Sequence, residues 1–245
     1  MTKITPSADR VAGAAVAVTG TSRGIGRATA LALAQAGAHV VCHARTQGAA
    51  EAAAEAARSQ GGQAIAVAGD LAEADLGTRL VAAAEDAFGR LDAVILNAAI
   101  LGRMGRVVDT PDDVFARVME LDVTAQFRIA KAAIPALQRA GGGVLVWLSS
   151  GLGRFGLPRF GAYAAAKHAV EGLAKVVAEE HRADGIVSVP VAPGMVSTDM
   201  LRDVLGGEDT SSYRDPAEVG AAFVRLLRRL RGPEGLASSG QSLDV

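Results

Sequence analysis

The chain has 245 residues and a single cysteine, Cys42, so no disulfide can form within it and a reducing compartment is implied. Cys42 sits in the apolar run VVCHA, where a thiol acts as a small core hydrophobe. Aromatic residues are scarce at 4%, which argues against an aromatic-rich β-sandwich; 29 glycines and abundant alanine suit helices packed closely on a sheet. Neither sign of charge is in excess. The net charge of −1 is too small to attract a polyanion or an anionic membrane without a local patch. The one candidate patch, FVRLLRRLRG, puts Phe223, Leu226, Leu227 and Leu230 on one helical face and Arg225, Arg228 and Arg229 on the other, as a peripheral helix over a sheet does. No nucleic-acid partner is expected. Runs of about 18 or more apolar residues are also missing, so no membrane span is expected. The opening MTKITPSADRVAGAAVAV superficially offers a basic leader, but its apolar part runs straight into TGTSRGIG and reads better as a first buried strand. A cytoplasmic location follows. His39 and His43 flank Cys42, His168 follows Lys167 and His181 closes the same helix; no ligand spacing joins them, so no metal is expected and all four are read as packing or surface residues.

Apolar runs and helical patterns alternate along the whole chain. Strands are predicted at 14–19, 38–43, 63–68, 92–97, 143–149, 185–192 and near GQSLDV, and helices at 24–36, 47–60, 73–88, 111–139, 161–184 and 216–231. Strands apolar on both faces and separated by amphipathic helices imply right-handed crossovers and a parallel sheet covered on both sides. The predicted fold class is α/β, a doubly wound parallel sheet of about seven strands with helices on both faces. With no linker or repeat to divide it, residues 1–245 are expected to form a single dinucleotide-binding domain, with a short substrate-binding loop around 195–215.

Two motifs carry chemistry. After the first strand comes TGTSRGIG, with Gly20, Gly24 and Gly26 around Ser22, Arg23 and Ile25 at the turn into a helix. Glycine lets the backbone turn sharply and approach a pyrophosphate, and the helix N-terminus presents free N–H groups and a positive dipole end. Later, in RFGAYAAAKHAVEG, Tyr163 and Lys167 are four apart, which stacks phenol and ammonium on one helical face ~6 Å apart along the axis. An ammonium ~5 Å from a phenolate at an effective dielectric of ~20 stabilises it by about 3 kcal/mol. That is the help a phenol, ordinarily titrating near ~10, needs to exchange protons at neutral pH. Taken alone, a tyrosine and lysine so spaced are usually an exposed pair.

The spacing G-x-x-x-G-x-G, followed in order by GDL, LNAA, LSS, YAAAK and PGMVSTDM, resembles the short-chain dehydrogenase/reductase family in its single-domain form, over nearly the whole chain. The resemblance implies a hydride-transferring oxidoreductase acting on a small carbonyl or secondary alcohol. Tyr163 would be the acid–base group and Lys167 its activator, both also touching the cofactor. Ser150, thirteen residues before Tyr163, would orient the substrate oxygen; Ser149 competes, but the spacing favours Ser150. Gly20, Ser22, Arg23, Gly24, Ile25 and Gly26 would hold the phosphates, Asp70 and Leu71 the adenine, Asn97 and Ala98 its ribose, and Pro193, Gly194, Val196 and Thr198 the nicotinamide side. Where NAD-dependent members resembling this one carry a carboxylate at the end of the second strand, this chain has Ala44 and then Arg45. A guanidinium pairs with a 2′-phosphate, so Arg45, aided by Arg23, favours NADP(H), with NAD(H) the alternative. Helices 111–139 and 161–184 build subunit interfaces in proteins of this kind, so a homodimer or homotetramer is expected.

Three departures from the family pattern bear on the site. Ala99 replaces a glycine, at a cost of about 1 kcal/mol if positive φ is needed there. Asp122 stands where many members carry an asparagine that supports a relay water, exchanging an amide donor for a charge. The segment after Thr198 is short, which implies a more open pocket hinged at Gly206 and Gly207 and rimmed by Leu152, Phe155, Met195 and Met200. Asp122 also supports a rival reading, a cofactor-binding regulator with little or no turnover.

Overall fold

A computed structural model describes residues 10–245; residues 1–9, the basic start weighed above as a leader, lie outside the described residues. Strands β1 (Ala15–Thr19), β2 (His39–Ala44), β3 (Gln63–Ala68), β4 (Ala93–Leu96), β5 (Gly143–Leu148), β6 (Ile186–Ala192) and β7 (Leu243–Asp244) form one sheet in the order β3-β2-β1-β4-β5-β6-β7. Every neighbouring pair is parallel. Residues on each strand alternate between two apolar cores. Val16, Val18, Val40, Cys42, Ile95 and Val146 face a layer that includes α1 (Gly24–Gln35), α2 (Gln47–Arg58) and α8 (Pro216–Leu230). Ala17, Val41, Leu96, Leu145 and Trp147 face α3 (Leu76–Phe88), α5 (Ala125–Arg139) and α6 (Gly161–Glu180). This is the two-sided cover that strands buried on both faces require. Within α8, Phe223, Leu226, Leu227 and Leu230 are buried, which accounts for the arginines between them: they lie on the outer face of a packed helix.

Strand order reverses between β1 and β4. Chain leaving β1 turns toward β2, chain leaving β4 turns toward β5, and a crevice opens between their carboxyl ends, where α/β sheets bind ligands. The glycine loop and the LNAA segment border this crevice.

Two regions differ from the sequence expectations. The helix predicted at 111–139 is divided: α4 (Asp112–Met119) and α5 are joined by a π-helical turn at Glu120–Thr124. The wider turn carries Asp122 into the interior, where its Oδ1 accepts the Ile100 N–H at 2.8 Å; such turns gather at functional sites. The loop at 195–215, read as short and hinged at Gly206 and Gly207, carries internal cross-links that its sequence does not announce. It contains α7 (Asp199–Val204), capped by the Thr198 hydroxyl, and returns through the Ser197 N–H bond to Arg214 O at 2.8 Å and a Ser197–Thr210 hydroxyl pair at 2.8 Å. Short polar side chains that cap and cross-link the segment replace the length it lacks. Ala99 has no positive φ, so the strain anticipated there does not arise; among the described residues the only such non-glycine is Arg159, at +78°.

Candidate active site

The glycine loop is shaped by close approach. Gly20 adopts φ +74°, and a Cβ on it would lie 3.0 Å from Ala98 Cα. At Gly26 a Cβ would lie 2.2 Å from Gly20 O and 2.4 Å from Asn97 Nδ2, so only glycine fits. Asn97 Nδ2 donates to Thr19 O at 2.8 Å and to Gly20 O at 3.3 Å, and the amides of Asn97 and Ala98 both donate to Thr19 Oγ1 at 3.0 Å. These bonds lock the exits of β1 and β4 together. Arg23, the N-cap of α1, offers its first turn no side-chain acceptor, which leaves those N–H groups for an anion. A turn with glycine at positions 20, 24 and 26, at an uncapped helix start beside the crevice, fits a dinucleotide pyrophosphate.

Around it, the remaining predicted cofactor residues take varied positions. Arg45 is exposed and makes no ion pair among the described residues, while Ala44 beside it is buried. Arg23 instead pairs with Asp199 of α7 at 3.1 Å, an exposed bridge across the crevice mouth. Asp70 accepts from Ala72 N–H at 2.9 Å and pairs with Arg117 at 3.2 Å, and Leu71 packs at the edge of the core facing α3. Val196 is buried, and Thr198 uses its hydroxyl to accept from Leu201 N–H at 3.3 Å. Pro193 O accepts from Arg214 at 3.1 Å, and Gly194 turns the chain at φ +74°.

Lys167 is 1% exposed, a charge held inside the protein. Its Nζ donates to Leu148 O, the last residue of β5, at 2.8 Å, and lies 5.3 Å from the centre of the Tyr163 ring. One ammonium thus ties α6 to the end of β5 and sits over the phenol. Ser150 follows two residues beyond Leu148; half-buried, its Oγ accepts from Leu152 N–H at 3.2 Å and retains its own proton for donation. Ser149 is buried, with its amide bonded to Val191 O at 2.8 Å. Of the predicted rim, Phe155 and Met195 are exposed. A cleft of about 380 Å³ lies between the 100–103 loop and α4, lined by Ile100, Gly102, Arg103, Asp113, Val114 and Arg117.

Asp122 adds a second buried charge. Burial pushes its carboxyl up from 3.8 to about 6, against the opposing pull of Lys167 and the Ile100 N–H. Its Oδ2 has no hydrogen-bond partner among the described residues. Because the folded state holds this proton more tightly than the unfolded chain does, stability falls as pH rises from about 4 to about 6 and the penalty persists above that. Asp122→Asn keeps the acceptor for Ile100 but cannot ionise. It is expected to be more stable than the wild type above pH ~6 by up to about 3 kcal/mol, the gain vanishing near pH ~4. Urea melts across this range test it, and a pH-independent difference would count against the buried charge.

Two residues escaped the sequence reading. His43 is buried within the loop seam. Arg159, in its left-handed conformation, accepts from Gly105 N–H at 3.0 Å and so pins the 100–105 loop against the start of α6. Neither position has a composition or spacing that announces its role.

Known proteins share this architecture. A family model described as short chain dehydrogenase matches residues 14–209. A 3-oxoacyl-[acyl-carrier-protein] reductase of Synechocystis is 35% identical over 93% of this chain and 93% of its own length. An NADPH-dependent aldehyde reductase-like chloroplastic protein of Arabidopsis thaliana is 36% identical over 96% of this chain and 93% of its own. Among solved structures, a short chain dehydrogenase of Shigella flexneri complexed with NADP superposes with a TM-score of 0.86 at 29% identity, covering 97% of this chain and 99% of that one. With the seven-stranded parallel sheet and the glycine cradle, these matches place the chain in the short-chain dehydrogenase family of oxidoreductases.

Proposed function

We propose that the protein reduces a carbonyl compound, or oxidises the corresponding secondary alcohol, with NADP(H) preferred over NAD(H). The observation that carries this is the buried Lys167 ammonium, fixed by Leu148 O and seated over the Tyr163 ring. The cation held over the ring counters the negative charge that grows on the phenol oxygen in the transition state, so the Tyr163 hydroxyl can pass its proton to the substrate oxygen as charge develops there. Ser150 Oγ donates a hydrogen bond to the same oxygen and fixes its direction. NADP(H), when bound, supplies the hydride for the carbon. The glycine cradle would hold its pyrophosphate, and Arg45, exposed just after β2, its 2′-phosphate. The regulator reading is not favoured, since the relatives carry reductase names and the proton-transfer residues are all present.

The protein is read as cytoplasmic and acting on small molecules, and as a homodimer or homotetramer through α5 and α6, whose Phe127 and Val176 are exposed apolar residues. Purified protein with NADPH and a panel of ketones and aldehydes tests the activity by loss of cofactor absorbance; binding without oxidation across the panel would overturn it. Arg45→Asp is expected to lower the NADP/NAD ratio of kcat/KM by about 10- to 100-fold, the value of one charge-assisted contact. An unchanged ratio would remove Arg45 from the cofactor site.

A further inference from the structure

One side chain closes the seam between the glycine loop and the exit of β3 and takes no part in the proposed chemistry. His43, the fifth residue of β2, is 2% exposed. Its Nδ1 lies 3.3 Å from the Gly20 amide nitrogen and its Nε2 lies 3.0 Å from the Gly69 carbonyl oxygen. Gly20 N–H can only donate and Gly69 C=O can only accept. A single state of the ring satisfies both, the neutral imidazole with its proton on Nε2. Burial favours the same state, holding the ring's pKa below its ordinary 6.5.

The backbone of His43 joins the same loop. Its carbonyl accepts from the Thr21 N–H at 2.8 Å and from the Thr21 hydroxyl at 3.0 Å. One residue therefore holds Gly20 and Thr21 on one side and Gly69 on the other. Gly69 in turn donates to Ala44 O at 3.1 Å and leads directly into Asp70. A leucine would fill much of the same space yet leave a part-buried donor and a buried acceptor without this partner.

We propose that His43 is a positioning residue for the dinucleotide: its imidazole sets the spacing between the phosphate loop at Gly20 and the adenine edge at Asp70. This rests on the cofactor reading above. Affinity for the adenosine half then depends on the imidazole, while the hydride step at the far end of the site does not.

Three substitutions separate this role from packing. His43→Leu removes both side-chain bonds. His43→Asn places an amide oxygen near the Nδ1 position and can keep the Gly20 contact, and His43→Gln places an amide nitrogen near the Nε2 position and can keep the Gly69 contact. NADPH binding is measured by fluorescence titration, and kcat at saturating NADPH by absorbance. The expected result is an NADPH Kd raised about tenfold or more in the leucine variant and by no more than about threefold in the better amide variant, with kcat within about twofold throughout. Should the leucine variant not fold, at least one amide variant is expected to show the rise in Kd with kcat retained. Wild-type affinity in every folded variant, or a fall in kcat at unchanged Kd, overturns the positioning role and leaves the cofactor reading standing. Failure of the wild type to bind either dinucleotide overturns the cofactor reading and this role with it.

Discussion

Tyr163→Phe is expected to lower carbonyl reduction by about 10²- to 10⁴-fold, the usual value of a positioned acid–base group, while NADPH affinity stays within about threefold. The substitution is clean because phenylalanine keeps the ring. The Lys167 ammonium, 5.3 Å from the ring centre, keeps its π face, and its bond to Leu148 O does not involve the phenol. Only the proton donor is lost. Steady-state rates with a true substrate, beside a fluorescence titration of NADPH, separate chemistry from binding. Intact turnover would mean that another group delivers the proton and that the geometry around Lys167 serves packing alone.

The second large effect is expected at Gly26. A methyl group there would press on Gly20 O at 2.2 Å and on Asn97 Nδ2 at 2.4 Å. The first contact is with backbone that cannot rotate away. Gly26→Ala must therefore displace the loop or break the Asn97 bonds that join β1 to β4. Stability should fall by about 1–3 kcal/mol, as overpacking a filled site does. NADPH affinity should fall by about 100-fold, because the amides of the cradle move with the loop. Gly48 is the control. It lies within α2, a Cβ on it meets nothing within 4 Å, and alanine there should be neutral or stabilising by up to about 1 kcal/mol. Equal behaviour of the two variants in thermal melts and titrations would show that the close approach at Gly26 has no energetic weight.

The sheet was legible because strands buried on both faces read as short unbroken apolar runs between amphipathic helices: Val16 and Val18 face one core and Ala17 the other, and the buried face of α8 repeats at helical spacing. The glycine cradle and the Tyr163–Lys167 pair were legible for a different reason, since each depends on residues close together in the chain. What escaped depends on distance along it. The π-helical turn at Glu120–Thr124 preserves the apolar pattern on either side, so periodicity runs through it unbroken. His43 meets backbone groups 23 and 26 residues away, and backbone has no sequence signature. The cross-linking of the 195–215 loop rests on Ser197, Thr210 and Arg214, ordinary polar residues until they are brought together.

The central place of β1 also governs synthesis on the ribosome. Val16, Ala17 and Val18 pair on one side with β2, available early, and on the other with Ala93, Val94 and Ile95, more than seventy residues later. Until those residues emerge, a nascent chain holding β1 to β3 exposes a sticky apolar ribbon edge through several seconds of translation. Chaperone capture would be concentrated in that interval, and slowing codons placed just ahead of residue 93 should reduce the yield of native protein more than the same codons placed after β5.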